Sequence, residues 1–383
     1  MNILHLWIAF SIASMVILWK VSIKHIQGEK TDIGRLTVPL FFLLALTLRV
    51  VLAISTVGFE ADFHCFSSWS DRMYLLGPSK FYAKDYFSDY PPLYLYVLYF
   101  LGLIKHTFGI LSGSPSHLLL MKSPAILADL LIGYVIYKIG NKRVGLSSAL
   151  CLSALFLFQP AVLINSAVWG QVDSLFTLFL IMSCLFLEHQ NLFPAMLFFA
   201  LGTLMKPQML IFAPVMILGF LTYVFRGSFS MNMLTKALAY MLLALLFTIL
   251  LAMPFGMENV ISQYLDTLGS YPYASVNAYN FWSGVGYNWI SQTKIFCGLP
   301  CNTWSFIAIV LATAFSLILG LRLGTISGKF FDVAAFLILT VFTFAVRMHE
   351  RYLYPFLPLA ILGFMGFASR QLISMPAANI GRE

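Results

Sequence analysis

Residues 57–100 read VGFEADFHCFSSWSDRMYLLGPSKFYAKDYFSDYPPLYLYVLYF. Acids, a His, a Trp and the run Asp89-Tyr90-Pro91-Pro92 stand here between hydrophobic blocks. Lipid cannot satisfy such polar groups, so in a membrane protein the stretch must sit in water or in a protein-lined cavity. Its placement sets the side of the membrane reached by every later segment, and so decides the fold.

The surrounding chain is that of a membrane protein. Of 383 residues, 60% are hydrophobic and 10% are charged, and the mean hydropathy is +0.87. Soluble domains carry about 25% charged residues. Apolar blocks recur to the C-terminus, which excludes a soluble enzyme with one anchor. The expected fold is all-α and polytopic, a single integral membrane domain over 1–383. About 11 crossings are expected, at 3–21, 36–56, 119–138, 146–165, 173–187, 192–206, 208–224, 236–254, 304–321, 330–347 and 352–369. Block 3–21 lacks a preceding basic region and a small-residue cleavage site, so it reads as an extra retained span, with 1–35 holding it and the loop after it. Residues 91–105 begin with Pro91-Pro92 and are rich in Tyr. They are expected to form a re-entrant or interfacial helix within an outer loop, 57–118. A second long outer loop covers 255–303.

The distribution of charge supports this topology. The expected cytoplasmic segments hold Lys20, Lys24, Lys30, Arg35, Lys138, Lys142, Arg143, Arg226, Lys236, Arg322, Lys329, Arg370 and Arg382, against five acids. That balance equals the whole net charge of +8. The positive-inside rule accounts for it, and no nucleic acid is needed as a partner. The N-terminus is then outside and the C-terminus inside. Arg49 and Asp129 fall within spans, where charges are costly; they can pair with each other or contact a substrate. Among five cysteines, Cys151 and Cys184 read as packing residues. Cys297 and Cys301 can pair if their loop meets an oxidising compartment.

The opening stretch, with two motifs of its own, and three later polar motifs reach the outer face in this topology. In Glu60-Ala61-Asp62, two acids flanking one residue can hold a metal or place one carboxylate as a base. The same pattern also makes an ordinary solvated turn. In Asp89-Tyr90-Pro91-Pro92, the prolines suit a helix entry with Asp89 as N-cap. Tyr94, Tyr96 and Tyr99 after it read as an interfacial belt. Trp169-Gly170-Gln171-Val172-Asp173 is a hairpin with an interfacial Trp, where Gln171 and Asp173 either bond sugar hydroxyls or cap the turn. Lys206-Pro207-Gln208 offers a snorkelling Lys or a point charge for phosphate. Arg347, His349 and Arg351 gather three potential cations, with Glu350 to orient them; Arg binds phosphate bidentately and His binds it or moves a proton. The alternative is a salt-bridged loop. The outer loop 255–303 adds Asn277, Asn280 and Trp282. No P-loop, GxGxxG, HExxH or GxSxG is present, which disfavours an ATPase, a dinucleotide enzyme and a zinc protease.

Taken together, Asp62 with Trp69 seven residues on, DYPPL at 89–93, KPQM at 206–209 and HER at 349–351 resemble GT-C glycosyltransferases. Two branches are similar: the prokaryotic relatives of the GPI second mannosyltransferase, and the glucosyltransferases of lipid-linked oligosaccharide synthesis. The resemblance covers roughly 36–370. It implies a GT-C-like fold and an outward active site. It implies inverting transfer of a hexose from a polyprenyl-phosphate donor, mannose first and glucose second. The expected acceptor is a glycan, a lipid-linked sugar or a protein, and the location is multi-pass in the plasma membrane if the host is a prokaryote. Asp62 looks like the catalytic base. His349 and Arg351 look like donor-phosphate contacts, with Lys206 and Arg347 beside them. Glu60, Trp69, Asp89, Tyr90, Gln171, Asp173, Gln208, Glu350, Asn280 and Trp282 complete the expected substrate set. Glu60 departs from a full Asp-x-Asp, so a divalent metal held by Glu60 and Asp62 is left open. Competing readings are a lipid-sugar flippase, which would show repeats and midplane polar groups, and a non-catalytic lipid-binding scaffold.

Overall fold

The computed structural model describes residues 33–83, 86–324 and 326–374. Span 3–21, its loop and the charges Lys20, Lys24, Lys30 and Arg382 lie outside the described residues. The described chain is nearly all-α. Its helices are α1 (Ile33–Ser55), α2 (Glu60–Leu76), α3 (Pro92–Thr107), α4 (Pro115–Arg143), α5 (Leu146–Leu157), α6 (Pro160–Leu163), α7 (Asp173–Glu188) and α8 (Leu192–Met205). They continue with α9 (Ala213–Val224), α10 (Met231–Ala252), α11 (Met257–Gly269), α12 (Phe281–Gly284), α13 (Cys301–Arg322), α14 (Lys329–Phe344) and α15 (Phe356–Ser374).

Among the described residues, five helical segments are long and apolar enough to cross a membrane: Leu36–Ser55, Pro115–Arg143, Pro207–Val224, Met231–Phe255 and Cys301–Arg322. A sixth counts if α5 and the helix after it, bent by 54°, form one span. Lipid exposure is clearest on α10 and α13. Leu242, Leu245 and Leu250, and Phe306, Leu311 and Leu321, are all exposed. Contiguous apolar surface of this extent is not left in water, so the bilayer covers it. Cys184 is buried as expected, whereas Cys151 points outward among the apolar side chains of α5. Cys297 and Cys301 are both unbridged thiols.

The helices shorten where the polar motifs lie. α7 has 16 residues, α8 has 14 and α14 has 16, about 21–24 Å at 1.5 Å per residue, against a hydrocarbon core of about 30 Å. Asp173 opens α7, and Lys206-Pro207 ends α8, with Lys206 in an extended conformation. After Phe344 the chain leaves the helix and bends at 346–347, with Arg347 in the left-handed region, before the strand pair 348–349 and a 3-10 turn, Glu350–Leu353. These ends converge at one end of the bundle. At the other end Arg143 donates to Ser327 Oγ at 2.7 Å, and Glu188 accepts from Gly328 N and Phe330 N at 3.0 and 3.1 Å. Glu188 thereby satisfies two amides at the start of α14 that the helix leaves free.

Buried charges tie the helices together. Arg49 and Asp129 pair at 3.1 Å with both side chains fully buried. Asp129 also accepts from Ser166 at 2.5 Å and from Tyr354. One carboxylate thus joins α1, α4, the turn after α6 and the entry to α15. Within α4, Pro124 removes the donor that Leu120 O would use, and Ser123 Oγ donates to that carbonyl at 2.7 Å instead. The long helix therefore continues past its proline without an orphaned carbonyl. Buried Lys122 donates to Ala53 O and Thr56 O, closing the C-terminal end of α1.

The loop expectations change in detail. Residues 255–303 are ordered: α11, then β1 (Ser275–Val276), α12, and the hairpin β2 (Ile295–Phe296) with β3 (Leu299–Pro300). β1 pairs in parallel with β4 (Met348–His349), with Val276 opposite His349. Residues 91–105 do form a helix, α3, but its N-cap is Pro91 and not Asp89. Tyr94 is buried against Phe66 and Tyr90 and so is core, not an interfacial belt.

Candidate functional site

The site is built on the turn between α6 and α7. Ile164–Trp169 coil as a π-helix, wider than α, and Gly170 ends them at φ 81°. Such turns re-aim side chains and are frequent at functional sites. Gly170 is also sterically required, because a Cβ there would stand 2.9 Å from Lys122 Cγ. Gly58 (φ +84°) lets the preceding loop lie against the same turn. A Cβ on it would approach Val168 O to 2.4 Å, backbone that cannot swing away. The start of α2 is thereby held against Trp169.

That contact places Asp62. Glu60 and Asp62 both lie in the first turn of α2, where acids complement the helix dipole. Two residues apart on a helix, they point in different directions. Glu60 is exposed and Asp62 is partly buried. Glu60 does not line the cavity that Asp62 lines. Among the described residues no group of three or more His, Cys, Asp or Glu is arranged to hold a metal. Trp169 Nε1 donates to Asp62 Oδ2 at 2.9 Å, and Gln171 Nε2 donates to the same oxygen. These two donors leave Oδ1 clear.

Asp62 lines a cavity of about 440 Å³. Trp69, Asp89, Tyr90, Lys206, Gln208, Arg347, His349 and Arg351 line it too. Motifs far apart in sequence thus share one chamber. The Arg351 guanidinium stands over the Trp169 ring at 5.3 Å and the Tyr352 ring at 5.8 Å. Trp169 therefore touches both the carboxylate and the cation. Its motif was visible, but an interfacial place was expected for it; adjacency to Gln171 was the available signal. Tyr352 is the other missed residue. It accepts from Gln208 Nε2 at 2.8 Å and packs on His349 at a ring distance of 5.0 Å.

Several expected contacts prove to be scaffolding. Asp173 is buried and holds Lys206 at 2.5 Å, while Asn165 donates to its other oxygen at 3.1 Å. With both oxygens engaged by protein groups, it orients Lys206. Lys206 lines the cavity with its charge already paired. Gln171 is buried and serves Asp62. Asn280 caps α12 and donates to Phe342 O and Ala345 O, each at 3.3 Å. Trp282 donates to Phe344 O at 2.9 Å and lines a separate apolar cavity of about 570 Å³. Both position the chain leading to His349. Glu350 reaches Arg351 at 3.4 Å from the rim and does not line the cavity. Arg347 lies at φ 63° and donates to Gln292 at 2.8 Å.

Charge in the cavity is uneven. Burial, then the charges of Arg351 and Lys206, hold the His349 imidazole down to about 3. It is neutral near pH 7, so the expected three cations become two, Arg347 and Arg351, beside the separately paired Lys206. Burial opposes the Arg351 charge, but Asp173, with Tyr352, Tyr90 and Asp62 after it, outweighs that cost and keeps the group protonated. Arg351 Nε and Gln208 Oε1 are buried with no hydrogen-bond partner among the described residues. Burial, reinforced by the Asp62 charge, raises the Asp89 carboxyl above the usual carboxylate range. The chamber can therefore hold an anionic group at Arg351, with neutral donors beside it and a carboxylate across from it.

His349 gives a pH signature. Its folded value lies below its unfolded one, so the unfolded chain binds the extra proton first as pH falls. The stability it contributes is full above about pH 6.5 and is lost progressively toward about pH 3. Thermal unfolding in nanodiscs is expected to show His349→Gln losing less stability than wild type between about pH 6.5 and about pH 4. Parallel curves would contradict a neutral buried His349.

No protein-family model matches the chain, and no significant match is found among curated proteins.

Proposed function

We propose that the protein is an inverting glycosyltransferase that moves a hexose, mannose before glucose, from a polyprenyl phosphate to an acceptor hydroxyl at the outer membrane face. The observation that carries this reading is the shared chamber: Asp62, whose Oδ2 is fixed by two donors, faces a cavity lined by Arg351, whose buried Nε has no hydrogen-bond partner among the described residues. The reading keeps the GT-C resemblance and its eleven crossings, N-terminus outside. The short helices α7, α8 and α14 then complete their spans with the motif turns.

In the proposed step Arg351 binds the donor phosphate bidentately, with neutral His349 donating a hydrogen bond and Lys206 adding field. Asp62 takes the proton of the acceptor hydroxyl. The acceptor oxygen attacks the anomeric carbon, and the carbon–oxygen bond to phosphate breaks on the opposite face. The electron pair leaves with polyprenyl phosphate, stabilised at Arg351. One displacement inverts the centre, by the logic that separates inverting from retaining glycosidases. A flippase would be served by polar groups at the midplane. Here they gather where the helices end.

The test offers purified protein polyprenyl-phosphate mannose, polyprenyl-phosphate glucose and the corresponding sugar nucleotides, with a mixed acceptor panel. Transfer from a lipid phosphate only, mannose above glucose, is the expected result. Transfer from the nucleotides, or movement of intact donor across liposomes without product, would remove the reading.

A further inference from the structure

The apolar cavity that Trp282 lines, of about 570 Å³, lies between α13 and α14 and is within the usual size range of small-ligand sites. On α13 it is lined by Trp304, Ile307, Ala308, Leu311, Ala312 and Phe315, a spacing that puts them on one helix face. From Trp304 to Phe315 that face runs about 16 Å at 1.5 Å per residue, about one leaflet of a hydrocarbon core of about 30 Å. α14 supplies Phe336, Thr340 and Phe344, again four residues apart. Leu311 is 63% exposed and Phe315 is 52% exposed. The cavity is therefore a groove that opens on the face of α13 covered by the bilayer.

The polar groups among these side chains are already engaged. Trp282 Nε1 donates to Phe344 O at 2.9 Å, Trp304 Nε1 to Phe296 O at 2.8 Å and Thr340 Oγ1 to Phe336 O at 2.9 Å. Cys297 adds a thiol, which behaves as a small apolar group. A sugar or a phosphate placed here would lose its hydration with no hydrogen bond in return, whereas a hydrocarbon chain loses nothing. Beside the first turn of α13 the lining includes Phe296 and Cys297 of the β2–β3 hairpin. Lys294 lies there as well, since its carbonyl accepts from Cys301 N at 3.0 Å. Its side chain is exposed and forms no ion pair among the described residues. No Asp or Glu occurs in the sequence between Asp266 and Asp332. This end of an apolar groove thus carries a positive charge that no neighbouring acid in the chain offsets.

We propose that the groove binds an anionic phospholipid, with an acyl chain lying along α13 and the head-group phosphate at Lys294. A juxtamembrane lysine attracts anionic head groups in this way. A polyprenyl tail is the other hydrocarbon to weigh, but no residue lines both the groove and the site chamber, and the lysine stands at the groove. The bound chain packs on Trp282, whose Nε1 holds the carbonyl of Phe344 at the end of α14. The lipid therefore braces the start of the segment that leads to His349. The site is independent of the transferase reading.

The experiment is native mass spectrometry of the full chain released from nanodiscs of phosphatidylcholine and phosphatidylglycerol in equal amounts, with polyprenyl phosphate added in a second arm. The expected result is retention of phosphatidylglycerol in preference to both other lipids. Ala308→Trp places a large ring in the groove from a half-buried position and should abolish that retention. Lys294→Gln changes an exposed side chain that no described ion pair needs, so it tests the proposal even if the first variant fails to fold. It should cut the preference for phosphatidylglycerol over phosphatidylcholine about fivefold, the factor for one lysine at an anionic lipid surface. Equal retention of the two phospholipids by the wild type, an unchanged preference in Lys294→Gln, undiminished retention by folded Ala308→Trp, or displacement of the phospholipid by polyprenyl phosphate would overturn the proposal. None of these readouts requires sugar transfer, so the result stands apart from the outcome of the transfer assay.

Discussion

Asp62→Asn is expected to lower sugar transfer by about a thousandfold, the middle of the range for a general base, while donor binding is retained. The substitution is isosteric, and the geometry says which way the introduced amide will sit. Trp169 Nε1 and Gln171 Nε2 both donate to Oδ2. Only an oxygen can accept both, so the amide oxygen of the substituted side chain must occupy that place. Its NH₂ group then stands where Oδ1 stood, offering protons at the position that must receive one. Folding is preserved because both donors stay satisfied. Asp62→Ala would orphan two donors and lose stability as well. A donor-binding assay beside a transfer assay separates the outcomes. An Asp62→Asn variant that transfers at the wild-type rate would remove Asp62 from the chemistry.

Asp129→Ala is expected to be the most destabilising single change in the described chain, at about 3–5 kcal/mol, because it leaves a fully buried arginine without its counter-charge. Ser166 and Tyr354 lose their shared acceptor at the same time. The loss reaches the site through structure, since Ser166 belongs to the π-helical turn that presents Trp169. Arg49→Met in the same chain should recover part of the stability, as expected when two changes act on one buried pair. Thermal unfolding of the two single variants and the double variant in nanodiscs measures the coupling. Additive losses would show that the pair is not the binding element.

The apolar helices and the pairing of Arg49 with Asp129 were legible from sequence, because intramembrane charge and hydropathy act along the chain and need no knowledge of packing. The convergence of Asp62, Lys206, Gln208, His349 and Arg351 was legible as motifs on one expected face. Their division of labour was not. Asp173 reads as a sugar ligand until Lys206 is seen beside it, and Trp169 reads as an interfacial anchor until its Nε1 is seen on Asp62. Both depend on a π-helical turn and two close glycine approaches, which no periodicity announces. Asn280 and Trp282 look functional as polar and aromatic loop residues. They instead bond the carbonyls of Phe342, Phe344 and Ala345, long-range contacts that hydropathy does not encode.

The central claim is a single displacement at a lipid-phosphate donor. It is tested most directly by the anomeric configuration of the product formed from a donor of defined configuration, read from the one-bond carbon–proton coupling in NMR. A β-linked polyprenyl-phosphate mannose should give only α-linked mannose on the acceptor, with polyprenyl phosphate released in equal amount. A β-linked product, or release of free sugar with no glycosidic bond formed, would contradict the account.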